Sequence, residues 1–415
     1  MRAYREILSI PGALKFCAAG LLARSGGAMM GLGIVLMVSA LYGSYGLAGA
    51  LAAANGLAWA IGTAVLSNLV DRYGQRRVMY PAVVVSATML AVVVVFALLK
   101  LPAWTLFAPI VISGATGGAP GALVRTRWNH VLNDPDRLHT AFALESTLDE
   151  LTFVIGPVVA TALSVGVHPV AGLVAPIVLS LVGAKLFYDQ RETEPPPHPR
   201  EAVEGASALW RRMILLVPGV AAVVAVNVMI GSMFGAIDVS VVAAATSWDS
   251  RGASGVILAL FSGASGVAGF WFGARTWTGL ASKRFLVGVI AMFAAAALLP
   301  FSSSVLLLGA TGMLFGATVA PTLITANTVL EKLVPVERLT EGLSWMGTGL
   351  GIGVSIGSSV SGNLIDHSGY HSGLLAVVGF GAIAALVAAV SYRTVRRHAH
   401  GEASELTPPA TAGTV

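Results

Sequence analysis

Four ionisable side chains stand in stretches of this chain that otherwise hold almost no charge: Arg24, Glu145, Asp149 and Glu150. From a helix start near Gly12, at about 1.5 Å per residue, Arg24 lies roughly 18 Å along an apolar helix; Asp149 and Glu150 lie roughly 15 Å along one starting near His139. A charge at such depth in a bilayer costs about 2.5 to 3.5 kcal/mol, so the four must pair with one another or line a wet cavity. Glu145 and Asp149 are a helical turn apart and share a face, whereas Glu150 is turned about 100° from Asp149. One arginine cannot neutralise three carboxylates, and a surplus buried carboxyl is suited to taking up and releasing a proton. The chemistry these residues offer is therefore reversible protonation. Asp149 or Glu150 would carry the proton, Arg24 would set its affinity and Glu145 would relay it toward the cytoplasm. The competing reading is a structural ion pair between the two helices, with Glu145 near enough to the interface to be hydrated.

The elements that hold these residues are long and apolar. Hydrophobic residues make up 56% of the 415, charged residues only 11%, and the mean hydropathy is +0.80, which excludes a soluble globule with a polar coat. Twelve apolar runs are each long enough to span a bilayer: 14–42, 46–69, 78–99, 103–128, 139–165, 168–188, 213–245, 253–275, 284–303, 305–331, 342–364 and 372–392. The expected fold is an all-α integral membrane protein of twelve transmembrane helices in two pseudo-symmetric six-helix halves. These are residues 1–188 and 213–392, joined by a Pro-rich linker, 189–212, and followed by a disordered tail, 393–415. Of the 25 lysines and arginines, only Lys100 and Arg251 fall in the loops after odd-numbered spans, and Arg24 and Lys185 lie inside spans. The positive-inside rule then places both termini in the cytoplasm of a cell-membrane protein.

The same distribution argues against nucleic acid, despite a formal charge of +5, because the basic residues form no patch with interleaved aromatics. Cys17 has no partner for a disulfide and reads as a small buried hydrophobe. The N-terminus shows no cleavable signal, so the first span is expected to remain. There is no phosphate-binding Gly-x-x-x-x-Gly-Lys-Ser/Thr run and no His-Glu-x-x-His, so neither a cofactor nor a metal is expected, nor an enzyme. An internal repeat supports the two halves. At an offset of 201 residues, Ala119-Pro120 falls on Ala320-Pro321, Arg137-Leu138 on Arg338-Leu339, Thr147 on Thr348 and Ile155-Gly156 on Ile356-Gly357, with Pro135 within one residue of Pro335. Duplicated membrane halves place a substrate site at their interface.

Between the second and third spans runs Ser67-Asn68-Leu69-Val70-Asp71-Arg72-Tyr73-Gly74-Gln75-Arg76-Arg77. Gly74 permits a turn with positive φ and the arginines face an anionic leaflet. With the twelve spans and central linker, this run resembles the major facilitator superfamily, and among its members the proton-coupled drug and metabolite exporters. The signature Gly-x-Leu-x-Asp-Arg-x-Gly-x-Arg-Arg is matched at Leu69, Asp71, Arg72, Gly74, Arg76 and Arg77, with Ser67 in place of the first glycine. The resemblance implies that Asp71, Arg72, Gly74, Arg76 and Arg77 form a cytoplasmic gate that latches the two halves. It also implies that Asn227, Asp238, Asn327 and Trp345 contact substrate, and that Gly156-Pro157 is the core of an antiporter signature.

Arg125 and Arg127 are read as snorkelling to lipid phosphates, and the glycines at 347, 349, 351, 353 and 357 as either a sliding or a static helix contact. Asp366 and Gly369 read as an external cap or turn. The function so implied is proton-coupled export of a hydrophobic or amphipathic small molecule by alternating access. The expected partners are a small-molecule substrate, protons and the bilayer, and the expected state is a monomer. A proton-coupled importer of a sugar or metabolite, and a non-transporting membrane sensor or scaffold, are the alternatives.

Overall fold

The computed structural model of the chain describes residues 2–132, 134–197, 217, 219–275, 277–334 and 339–401. Every regular element among them is helical, as a lipid solvent that offers no hydrogen bonds to the backbone requires. A short α1 (Arg2–Leu8) precedes the first six spans: α2 (Ala13–Tyr42), α3 (Tyr45–Tyr73), α4 (Gln75–Leu98), the pair α5 (Phe107–Gly117) and α6 (Pro120–Val131), α7 (Pro135–Gly166) and α8 (Ala171–Tyr188). The second six are α9 (Val220–Ser247), α10 (Ala253–Gly273), α11 (Ala281–Ala296), α12 (Val305–Leu333), α13 (Leu339–Ser368) and α14 (Tyr370–Gly401). Eleven helical stretches among the described residues are long and apolar enough to cross a membrane, α5 and α6 together making one of them. The remaining long helix is α13, whose apolar residues are diluted by glycine and serine. Large side chains such as Val267 and Leu306 are 74% and 84% exposed, as befits surfaces that face lipid rather than water.

Local chemistry sets the boundaries. Gly74, at φ 90°, is the single residue separating α3 from α4, so the basic run is a one-residue hinge and not an extended loop. The fourth span, expected to be continuous, is broken at Gly118, where φ is 67°. Pro120 starts α6 at a position that needs no amide donor, and the freed carbonyl of Gly118 accepts Trp59 Nε1 at 2.7 Å. Its counterpart by the repeat, α12, runs unbroken through Pro321, because Thr318-Val319 stand where the first half has Gly117-Gly118.

The tail also differs from expectation. Residues 393–401 continue α14 as helix, with Val395 buried at its foot against the start of α9. The rest of the expected tail (402–415), linker residues 198–212, and Pro335 and Arg338 of the repeat lie outside the described residues.

Within the first half α2 packs on α7 and α8; within the second α9 packs on α13 and α14, and α10 on α12. The halves meet along two seams, α3 against α13 and α7 against α10. One apolar core joins Leu36, Leu51 and Leu90 of the first half with Ile230, Ile257 and Leu308 of the second. A separate one, around Phe16, Met79, Trp128 and Phe187, belongs to the first half alone and lies at the end rich in lysine and arginine. That end is called the basic end below, and its opposite the outer end.

Candidate functional site

The break at Gly118 gives α6 its own direction and carries Arg125 and Trp128, which share a face one turn apart, toward α7. From the other side α2 approaches closely, because Gly156 of α7 lets Ala28 in: a Cβ at Gly156 would stand 3.1 Å from the Ala28 Cβ. Between the three helices lie Arg24, Glu145, Asp149 and Arg125. Arg24 forms ion pairs with Glu145 and, at 2.8 Å, with Asp149 Oδ1. Arg125 Nη2 reaches Asp149 Oδ2 at 2.7 Å. Glu145 also accepts from Trp128 Nε1 at 2.8 Å and from Cys17 Sγ at 3.2 Å.

The set is charge-balanced, two arginines against two carboxylates. This corrects the expectation that Arg24 is the one cation available to the acids of α7, and that Arg125 snorkels. Glu145 is also not near a hydrated interface; it is fully buried, and its partners Arg24, Trp128 and Cys17 hold it in place. The equal depth of Arg24 and Asp149, legible in the sequence, is realised as a direct bond.

Glu150 stands apart. It is exposed and makes no hydrogen bond or ion pair among the described residues. Turned away from the quartet, it faces the α7–α10 seam, where a Cβ on Gly266 would lie 3.6 Å from Glu150 Oε2. Further along that seam a Cβ on Gly255 would meet the Pro157 carbonyl at 2.6 Å. Gly156-Pro157 therefore sits where α7 meets α2 on one side and α10 on the other.

At the basic end the expected gate residues serve different neighbours. Asp71, Arg72 and Arg77 are exposed, and Asp71 has no polar partner among the described residues. Arg76 is held by the start of the linker: its amide donates to Glu194 Oε1 at 2.8 Å, and its guanidinium lies 3.6 Å from Asp189. The Lys185 hydrogen bond to Asp189, and then the charges of Lys185, Arg76 and Arg191, lower that carboxyl below its ordinary value.

Arg127, expected in the headgroups, is instead completely buried. It donates to Gln75 Oε1, to the Gln190 carbonyl and to Thr193 Oγ1, each at 3.0 Å, and lies 3.9 Å over the Phe187 ring. It thereby ties the hinge after Gly74 to the start of the linker. Nothing in the apolar pattern around Arg127 distinguishes it from an interfacial arginine, and the sequence reading missed this role.

The expected substrate contacts are not brought together by hydrogen bonds. Asn227 is buried and donates to the Val223 carbonyl of its own helix at 3.0 Å. Asn327 is exposed, while Asp238 and Trp345 are half-buried. Of the α13 glycines, Gly349, Gly353 and Gly357 abut Val228 and Ser232 of α9, in the same half, while a Cβ at Gly347 or Gly351 would meet open space.

A family model described as Major Facilitator Superfamily matches residues 16–274 and 221–412. Among solved structures, the nucleoside transporter NupG superposes with a TM-score of 0.71 at 14% identity, covering 92% of this chain and 99% of that one. The POT family transporter PepTSo gives 0.69 at 12% identity, covering 93% and 98%. A D-xylose-proton symporter gives 0.68 at 15% identity, covering 94% and 98%. No curated protein sequence matches the chain.

Proposed function

The chain belongs to the major facilitator superfamily and is a multi-pass membrane transporter, and from that premise we propose that it couples transport to protons through Glu150. The observation that carries this is the division of the three acids in the middle of α7. Glu145 and Asp149 are committed to Arg24 and Arg125. Glu150 has no cation among the described residues and lies on the seam where the halves part. A carboxyl there is shut against the second half in one state and open to water in another, which is what loading and unloading a proton demands. Arg24, Glu145 and Asp149 then act by fixing α7 against α2, so that Glu150 keeps its place on the seam.

In this reading the transporter moves a small hydrophobic or amphipathic molecule outward across the cell membrane in exchange for protons. It works as a monomer with both termini in the cytoplasm. Export is supported by Gly156-Pro157 at the meeting of α2, α7 and α10. Asn227, Asp238, Asn327 and Trp345 are the candidate substrate contacts of the second half, and Asp71, Arg72, Gly74, Arg76 and Arg77 the cytoplasmic gate.

A second reading, proton-coupled uptake of a sugar or metabolite, is favoured by the likeness to a D-xylose-proton symporter and a nucleoside transporter. It uses the same Glu150 in the opposite direction. The test of both is flux in proteoliposomes under an imposed pH gradient, with substrates first found by a susceptibility panel in cells lacking their own exporters. Wild type drives a gradient-dependent flux whose direction decides between the readings, and Glu150→Gln abolishes the dependence on the gradient. Full coupling in Glu150→Gln would sink the proton assignment.

A further inference from the structure

We propose that Asp366, at the outer end of α13, is an outer gate of the transport cycle: its carboxylate clasps the N-terminus of α3 across the seam between the halves and must release it for the outer end to open. The first amides of any helix lack intrahelical partners. At the start of α3 two of these donors, Tyr45 N and Gly46 N, give their hydrogens to Asp366 Oδ1 and Oδ2 at 2.7 and 2.8 Å, and Ser44 Oγ donates to Oδ2 at 2.7 Å. Ser44 also caps its own helix by accepting from Leu47 N at 3.0 Å. The acid that completes the cap comes from the opposite half, more than three hundred residues away in sequence. A carboxylate at this position also meets the positive end of the helix dipole.

The approach is built for contact. A Cβ on Gly46 would stand 2.9 Å from Asp366 Oδ2, and a Cβ on Gly362 would strike the Tyr45 carbonyl. A strut of opposite charge stands on the same end. Arg251, in the α9–α10 connection, donates to the Leu36 carbonyl at 2.8 Å and to Ser39 Oγ at 2.7 Å, near the close of α2.

The other end of the same helix pair is in the opposite condition: Asp71 at the end of α3 is exposed and without a polar partner among the described residues. The clasp lies in water-accessible surroundings, since Asp366 itself is exposed. Its bonds can therefore be exchanged for water once per cycle, which a dry interior pair could not do.

The experiment reads distances and not flux, so its outcome is independent of whether Glu150 carries the proton. Spin labels at Lys100 and Ser303 report the outer end, and labels at His130 and Lys332 the basic end, in the full chain with Cys17→Ser, reconstituted in lipid nanodiscs. Asp366→Ala is expected to raise the population with the longer outer distance roughly tenfold, the size expected from loss of a charged helix cap, and to shorten the distance at the basic end. Asp366→Asn, which keeps one acceptor oxygen, gives a smaller shift, and Ser44→Ala, which removes one of three donors, a smaller shift again. His367→Ala, one residue on, leaves both distributions unchanged. Outer distances in Asp366→Ala equal to those of wild type, or moved equally by His367→Ala, would overturn the assignment.

Discussion

Removing the charge of Arg24 alone should damage this protein far more than removing Arg24 and Glu145 together. In Arg24→Met, Glu145 loses its cation while remaining fully buried, with only Trp128 Nε1 and Cys17 Sγ still donating to it. An uncompensated charge left by breaking a buried pair costs about 3 to 5 kcal/mol, a factor of roughly a hundred to several thousand in the folding equilibrium. Screening does not reduce this, because the side chains of Arg24 and Glu145 are 7% and 0% exposed. In Arg24→Met with Glu145→Gln both charges disappear. The amide oxygen that Glu145→Gln introduces still accepts from Trp128, and Asp149 keeps Arg125 at 2.7 Å. Charge balance is thus restored pair by pair, and replacement of a whole buried pair is close to neutral.

The assay is unfolding in a mixed-detergent titration for wild type, both single variants and the double, analysed as a double-mutant cycle. The expected coupling is at least about 2 kcal/mol, with the double more stable than either single variant. Single-variant losses below about 1 kcal/mol, or losses that simply add in the double, would refute the buried, balanced quartet.

Three further outcomes follow from other sites. Glu150→Gln should leave stability within about 0.5 kcal/mol of wild type, since the side chain has no polar partner to lose, while removing the pH dependence of flux; a large fall in stability would mean that the acid is structural. Arg127→Ala should cost about 2 to 4 kcal/mol through three lost hydrogen bonds and the stacking on Phe187, and limited proteolysis should cut the linker near Thr193 faster. Gly118→Ala should lower the unfolding midpoint by the equivalent of about 1 to 3 kcal/mol, because φ 67° with ψ −170° is a backbone region essentially confined to glycine, and by more if Met79, which that Cβ would strike, cannot move aside.

What the sequence discloses here is what depends on the solvent. Twelve spans, their two halves and the basic end follow from the cost of placing charge and open backbone in hydrocarbon, and the observed helices start and stop close to the apolar runs. The pairing of Arg24 with α7 was legible for the same reason: depth along a helix can be computed from residue number. Departures from helical regularity could not be read so directly. Arg125 joins the quartet only because Gly118 breaks the fourth span, and a proline in a span is tolerated both at a break and, as at Pro321, without one. Arg127 was missed, and Asp366 was read as an external cap or turn without its partner, because the groups they bind are backbone and neutral side chains, which leave no complementary charge in the sequence to search for.

The weakest membrane span by composition, α13, occupies the most constrained position, and the two facts have one cause. A helix facing lipid must be apolar, but α13 is flanked by α9 and α3, so its sequence is free to be small and polar. On the α9 side it uses that freedom for backbone approach at Gly349, Gly353 and Gly357, as small residues allow between membrane helices. On the α3 side it presents Ser355, Gly362, Asn363 and Asp366, groups that lose little by exchanging a neighbour for water. An apolar seam of the same area would cost about 25 cal/mol for each Å² exposed on opening. A polar seam with a capped helix at its outer end opens for the price of a few hydrogen bonds, each worth about 1 kcal/mol. The composition that makes α13 hard to recognise as a membrane span is therefore the composition that a moving interface would require, if the halves part along this seam in the proposed cycle.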